Sequence, residues 1–225
     1  MQITVDPELQ RRCPGYRIIA ATAEVVNSAT SPVLQSEIDS LAADIASRLQ
    51  VADINTIPPI AATRAAYKAC GKDPNRYRPS QEQLMRRIVR GLGLYTVNSI
   101  VDTGNLLSLR TGCSVGCFDL KKVSGEELTV SIGREGEPYE GIGRGPLNIA
   151  GLPVVRDAAG GIGTPTSDNV RTCIEDSTTS LLLTIHLFDT CADAESIINI
   201  AMELFSRHCR AGNIRHALIT DKGSV

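Results

Sequence analysis

Apolar residues recur at three- and four-residue steps through Leu34, Ile38, Leu41, Ile45 and Leu49, which is the spacing of one helical face and predicts a packing helix over residues 32–50. Ser31 would cap it, with Pro32 in the first turn. Pro58 and Pro59 open a shorter helix, residues 60–70, that stops at Gly71. Ser80 and Gln83 have capping-box spacing ahead of a helix at 81–90, which turns Leu84, Met85 and Ile88 inward and ends at Gly91. From residue 97 to 109 the period is helical again, but apolar positions occupy most of the circumference, so this helix is expected to be buried. A last helix starts at Asp189 or Thr190 and carries Ile197, Ile198, Ala201, Leu204 and Phe205 on one face. Strands are predicted at 2–5, 16–26, 128–132, 152–156 and 178–188, and a short one at 216–220 precedes a frayed tail. The result is an α+β protein, a mixed sheet core with packed helices, in one domain over residues 1–225.

Composition narrows the function classes. With 42% hydrophobic and 21% charged residues the chain reads as an ordinary soluble globular protein. A formal charge of −2 and no tryptophan exclude a strongly basic RNA-coating protein, so any RNA contact has to use a local basic patch and is expected to be weak or transient. Arg76, Arg78, Arg86, Arg87 and Arg90 form the densest such cluster, with Lys121 and Lys122 a second. The seven cysteines are odd in number and none has zinc-ligand spacing, which points to free thiols in a reducing cytoplasm and to no metal or cofactor. No apolar run reaches the length of a membrane span, and the expected location is cytoplasmic. The sequence carries no signal of oligomeric state.

Candidate chemistry concentrates on the buried helix. At roughly 100° per residue Asn98, Asp102 and Asn105 fall in one stripe. A carboxylate buried between two carboxamides must be hydrogen-bonded. Two readings follow: a polar network that caps neighbouring loops, or a small polar pocket that holds an amine, a carboxylate or a water. The IVDTG run at 100–104 matches the catalytic segment of aspartic proteases, but its flanks are helical and it occurs once. The glycine-rich stretch 133–151 is followed by no helix, so it predicts a loop over a site and not a phosphate cradle. No Ser-His-Asp or Cys-His arrangement is readable, and His186 sits in an apolar strand as a core residue.

Taken in order, RPSQEQLMRRIVRGLGL, VNSIVDTGNLLSLRTG, GCFDL, LPVVRDAAG, the Arg171-Thr172 pair and STTSLLL resemble the tRNA-binding and editing domain of the beta subunit of bacterial phenylalanyl-tRNA synthetase, its third and fourth modules. The resemblance covers about residues 79–187, with N-terminal strands and helices over 1–78 and a C-terminal helix and tail over 188–225. It implies a free-standing domain that receives the aminoacylated 3′ end of a tRNA and hydrolyses a wrongly attached amino acid such as tyrosine; the alternative is a non-catalytic module for a tRNA end or an amino acid. It further implies catalytic roles at Asn98, Asp102 and Asn105 and substrate contacts at Asp119, Asp157, Thr178, Thr184 and Gly116, and the basic cluster of Arg76, Arg78, Arg86, Arg87 and Arg90 supplies the expected tRNA contacts. Two positions depart from the family: Gly116 stands where it has a histidine, and Thr184 where it has a glutamate.

Overall fold

The computed structural model describes all 225 residues. In chain order the elements are β1 (Gln2–Val5), α1 (Pro7–Arg12), β2 (Arg17–Glu24), α2 (Pro32–Arg48), α3 (Pro58–Ala69), α4 (Ser80–Val89), α5 (Ser99–Thr111), β3 (Ser114–Asp119), β4 (Glu127–Ile132), β5 (Glu140–Gly141), β6 (Gly145–Pro146), β7 (Pro153–Asp157), β8 (Gly160–Gly163), β9 (Ser180–Leu187), α6 (Ala194–Cys209), β10 (Gly212–Ile219) and β11 (Lys222–Ser224). The fold is α+β. One sheet has the order β11-β1-β4-β7-β8 and is mixed, because β1 and β4 run parallel. The other, β10-β2-β9-β3, is antiparallel throughout.

The strand at the centre of the second sheet explains the layering. β9 is apolar on both faces: Leu181, Leu183, Ile185 and Leu187 pack with residues of α2, α5 and α6, whereas Leu182 joins Ile3, Val5, Leu128, Val130 and Val155 of the first sheet. A strand buried on both sides loses the alternation of a half-buried one. The three helices, the antiparallel sheet and the mixed sheet therefore stack in that order. His186 belongs to the inter-sheet layer, where Tyr16 Oη lies 2.8 Å from its Nδ1 and burial lowers its pKa to about 3. It is a neutral core residue.

Several boundaries differ from the sequence reading. The capping box does not form: Pro79 is the N-cap residue of α4, Ser80 is inside the helix, and the Gln83 amide donates to the carbonyls of Arg78 and Thr166. α5 begins two residues later than its periodicity suggests, because Asn98 is the cap and its Oδ1 accepts from Val101 N. α6 begins at Ala194 behind Asp193, whose carboxylate accepts from Ser196 N. The tail is not frayed, since β11 pairs with β1 in the mixed sheet. These ends are set by polar side chains and strand partners that apolar spacing does not report. The IVDTG run lies inside α5, which removes the protease reading.

One buried charge ties α3 to α4. Glu82 has no exposed side-chain surface, and it meets Arg64 at 2.8 Å, Arg86 at 2.8 Å and Arg78 at 3.8 Å. Two members of the expected tRNA-binding cluster are thus engaged internally, while Arg76 and Arg90 are exposed and make no ion pair. Removing one partner of a buried ion pair strands the others in a poorly solvating environment. Glu82→Gln is expected to lower stability by about 3–5 kcal/mol in urea unfolding, with a smaller loss for Arg78→Gln, whose contact is longer and more exposed.

Candidate functional site

The residues 164–168 form a tight loop, and the candidate site is built on it. Thr164 Oγ1 accepts from the N–H groups of Thr166 and Ser167, and Tyr139 Oη donates to Ser167 O. From outside, Ser80 N and Ser114 Oγ both donate to Pro165 O, at 2.7 and 3.2 Å. The loop thereby joins the start of α4 to the start of β3. The single Ser114 hydroxyl proton is shared between Pro165 O and the Gln81 amide oxygen, and Gln81 Nε2 donates to Thr63 Oγ1 of α3. Few torsions in this region remain free.

Between this loop, α4 and α5 lies a cleft of about 310 Å³. Gln83, Leu84 and Arg87 line it from α4, Gly104, Asn105 and Ser108 from α5, and Thr166, Ser167 and Asp168 from the loop. Arg144, in the turn between β5 and β6, closes the rim and donates to the Gln83 side chain. Gly104 is required here by packing: a Cβ would stand 2.8 Å from Cys117 Sγ, so only glycine lets α5 approach β3 this closely.

Two polar groups in the cleft differ from the rest. Ser108 Oγ is engaged by Cys113 O at 2.7 Å, but the Asn105 carboxamide makes no hydrogen bond within the protein. Asp168 is partly exposed as a residue, yet its carboxyl group is turned inward, against Gly163 and the Cys117 N–H on the open edge of β3. Burial pushes its pKa up to about 8, and the single backbone donor only partly offsets this. A carboxyl group that titrates near neutral pH can hold or release a proton during a reaction.

The other sequence-predicted residues are distributed elsewhere. Asp102 accepts from Val97 N at 3.2 and 3.1 Å and from Thr30 Oγ1, so it fastens the entry to α5; burial raises its pKa against those bonds. Asn98 caps the same helix, and the network reading of the stripe describes both residues. Asp119 and Thr178 touch each other at 2.8 Å, and Asp119 also accepts from Lys121 N. Asp157 holds a turn: burial works to raise its pKa, but the Arg171 fork and the Ser124 and Ala159 N–H groups keep it below the usual carboxylate range. Of the predicted residues, only Asn105 and Arg87 line the cleft.

Gly116 and Thr184 are direct partners across β3 and β9 and face the inter-sheet layer, not the cleft. A Cβ at Gly116 would stand 2.7 Å from the Phe118 ring and 2.8 Å from Thr184 Oγ1. The same ring would meet a Cβ at Gly163 at 2.5 Å. Phe118 thus fills the space in front of both positions, and Thr184 Oγ1 is buried with no hydrogen-bond partner.

A family model described as the B3/4 domain matches residues 62–219. The chain belongs to the B3/4 domain family. That module is found in the beta subunit of phenylalanyl-tRNA synthetase. No curated protein matches this chain. Among solved structures, it is similar to an N-terminal fragment of the phenylalanyl-tRNA synthetase beta subunit from Pyrococcus horikoshii, with a TM-score of 0.48 and 10% identity over 97% of this chain and 54% of that one. It therefore spans about half the length of that fragment. No helix of this B3/4 domain is long and apolar enough to cross a membrane.

Asp168 was not legible as a site residue, the one hint being the run of turn-forming residues TPTSDN around it, whereas Arg144 lies in the glycine-rich stretch 133–151 that was expected to form a loop over a site. The raised pKa has a measurable consequence. Between the ordinary carboxylate range and about 8, the folded chain keeps a proton that the unfolded chain has released, so this group's contribution to stability falls as pH rises through that window. Asp168→Asn is expected to flatten the stability–pH curve, matching the wild type only below about pH 4 and exceeding it by a growing margin up to about pH 8 in urea unfolding. Gly116→Ala is expected to cost about 1–3 kcal/mol through overpacking against Phe118, read by the same method.

Proposed function

We propose that this B3/4 domain binds the aminoacylated 3′ end of a tRNA and hydrolyses the ester of a wrongly attached amino acid in the cleft between α4, α5 and the 164–168 loop. The observation that supports the reading is the unpartnered Asn105 carboxamide in a cleft whose wall includes Asp168, with the carboxyl group of that residue buried just behind the surface. Ester hydrolysis needs a base for the attacking water and a donor for the developing oxyanion. The ionised Asp168 takes the proton of the water, and Asn105 Nδ2 donates to the carbonyl oxygen as negative charge grows there. The proton then passes to the departing ribose oxygen, releasing the free amino acid and the uncharged tRNA. Arg87 and Arg144 at the rim supply positive charge for the terminal phosphates. Asp102 acts at a distance, by holding the entry to α5.

A second reading has its own support. Of the positions where the synthetase family carries a histidine and a glutamate, Gly116 is here closed over by Phe118 and Thr184 is buried behind it in the sheet, and this favours a module that binds the same end without turnover.

The test is deacylation of a panel of mischarged tRNAs, beginning with tyrosyl-tRNA for phenylalanine. Release by the wild type is expected to rise with pH towards a plateau above about 8. Asn105→Ala and Asp168→Asn are each expected to slow it about 100-fold or more, with folding retained. Binding without release across the whole panel would replace the hydrolase with the binding module.

A further inference from the structure

Aromatic rings are scarce in this chain and nearly all are inside it. Tyr16, Tyr67, Phe118 and Phe205 are fully buried, Tyr139 is buried, and Tyr77 and Phe188 are half-buried. Tyr95 is the exception. It is 73% exposed, on the segment 90–98 that links α4 to α5.

The ring is presented in a fixed setting. The Arg87 guanidinium lies 4.1 Å from its centroid, and Arg87 is itself held by the carbonyls of Gly93 at 3.1 Å and Leu92 at 3.4 Å. The segment is anchored beyond the ring, where Thr96 Oγ1 donates to Gln35 Oε1 and Val97 N donates to the Asp102 carboxylate. One face of the ring is thus backed by a cation, and the residue that backs it also lines the cleft. The same segment exposes Leu92 and Val97, and Arg90 at its start is exposed as well.

We infer that the free face of Tyr95 is a stacking platform for the unpaired terminal base of the RNA strand whose aminoacylated end enters the cleft. The inference rests on the function proposed for that cleft. A nucleobase offers a flat π face whatever its identity, and the phosphates beside it meet Arg87 and Arg90. An apolar protein segment would satisfy Leu92 and Val97 but would leave these cations unmatched. The arrangement also gives the chain a grip on RNA that does not require a basic surface overall, in keeping with its formal charge of −2.

The full-length chain is titrated, at one fixed salt concentration, with a tRNA transcript for phenylalanine and with the same transcript ending in an abasic nucleotide. Tyr95→Ala is expected to weaken binding of the intact transcript about 5- to 100-fold, and Tyr95→Phe, which keeps the ring, by no more than about twofold. The abasic end is expected to weaken the wild type by a similar factor and to leave the Tyr95→Ala variant unaffected, because ring and base are lost as one contact. Wild-type binding with no response to Tyr95→Ala or to the abasic end would overturn the stacking role alone and point to a protein segment on this patch. Failure of the wild type to bind either transcript would overturn the reading of the cleft together with this one.

Discussion

A carboxylate wholly removed from water must be met by cations, and Glu82 is met by three. Its partners come from α3, from the next turn of α4 and from the loop between them, so satisfying one charge fixes the relative placement of all three segments. The rest of the site follows from that placement. With α3 and α4 in register, the Thr63, Gln81 and Ser114 side chains connect, and Pro165 O receives donors from both α4 and β3. The 164–168 loop then has one available position, and its position defines the cleft. The same charge also divides the basic cluster, since Arg86 turns inward onto it and Arg78 reaches it from the surface, while Arg76, Arg87 and Arg90 make no ion pair.

The elements themselves were largely legible in the sequence. Helical spacing located α2 to within two residues at its C-terminal end, and the apolar run at 178–188 located the strand that became β9. Element ends were less legible. Asn98 and Asp193 are ordinary caps, but a cap is recognised by the backbone N–H it meets, and spacing alone places it a residue or more away. The C-terminal residues read as loose because β11 is three residues long and draws its stability from pairing with β1 across the whole chain. No local pattern encodes such a contact.

The candidate site was legible only in part, for the same physical reason. A stripe on a helix says which residues point one way, not what they meet. Asn98 and Asp102 meet backbone N–H groups at the helix start, and Asn105, two turns along, meets open space. Asp168 owes its raised pKa to burial against a strand distant in sequence. Gly116 and Thr184 stand apart in the chain yet are paired in the sheet, and only the fold reveals that one ring covers Gly116 and Gly163 together.

β3 is an outer strand of the antiparallel sheet, and its open side faces the 164–168 loop. An uncovered edge of this kind offers unpaired N–H and C=O groups to any strand that approaches, including one from another copy of the chain. Here Asp168 and Pro165 occupy that side without forming a regular ladder, so the sheet cannot be extended through them. The loop that supplies Thr166, Ser167 and Asp168 to the cleft therefore also covers this edge of the sheet. A substitution in this loop therefore acts on two things at once, the wall of the cleft and the cover of a sheet edge, whereas one on the exposed side of α4 or α5 acts on the cleft alone.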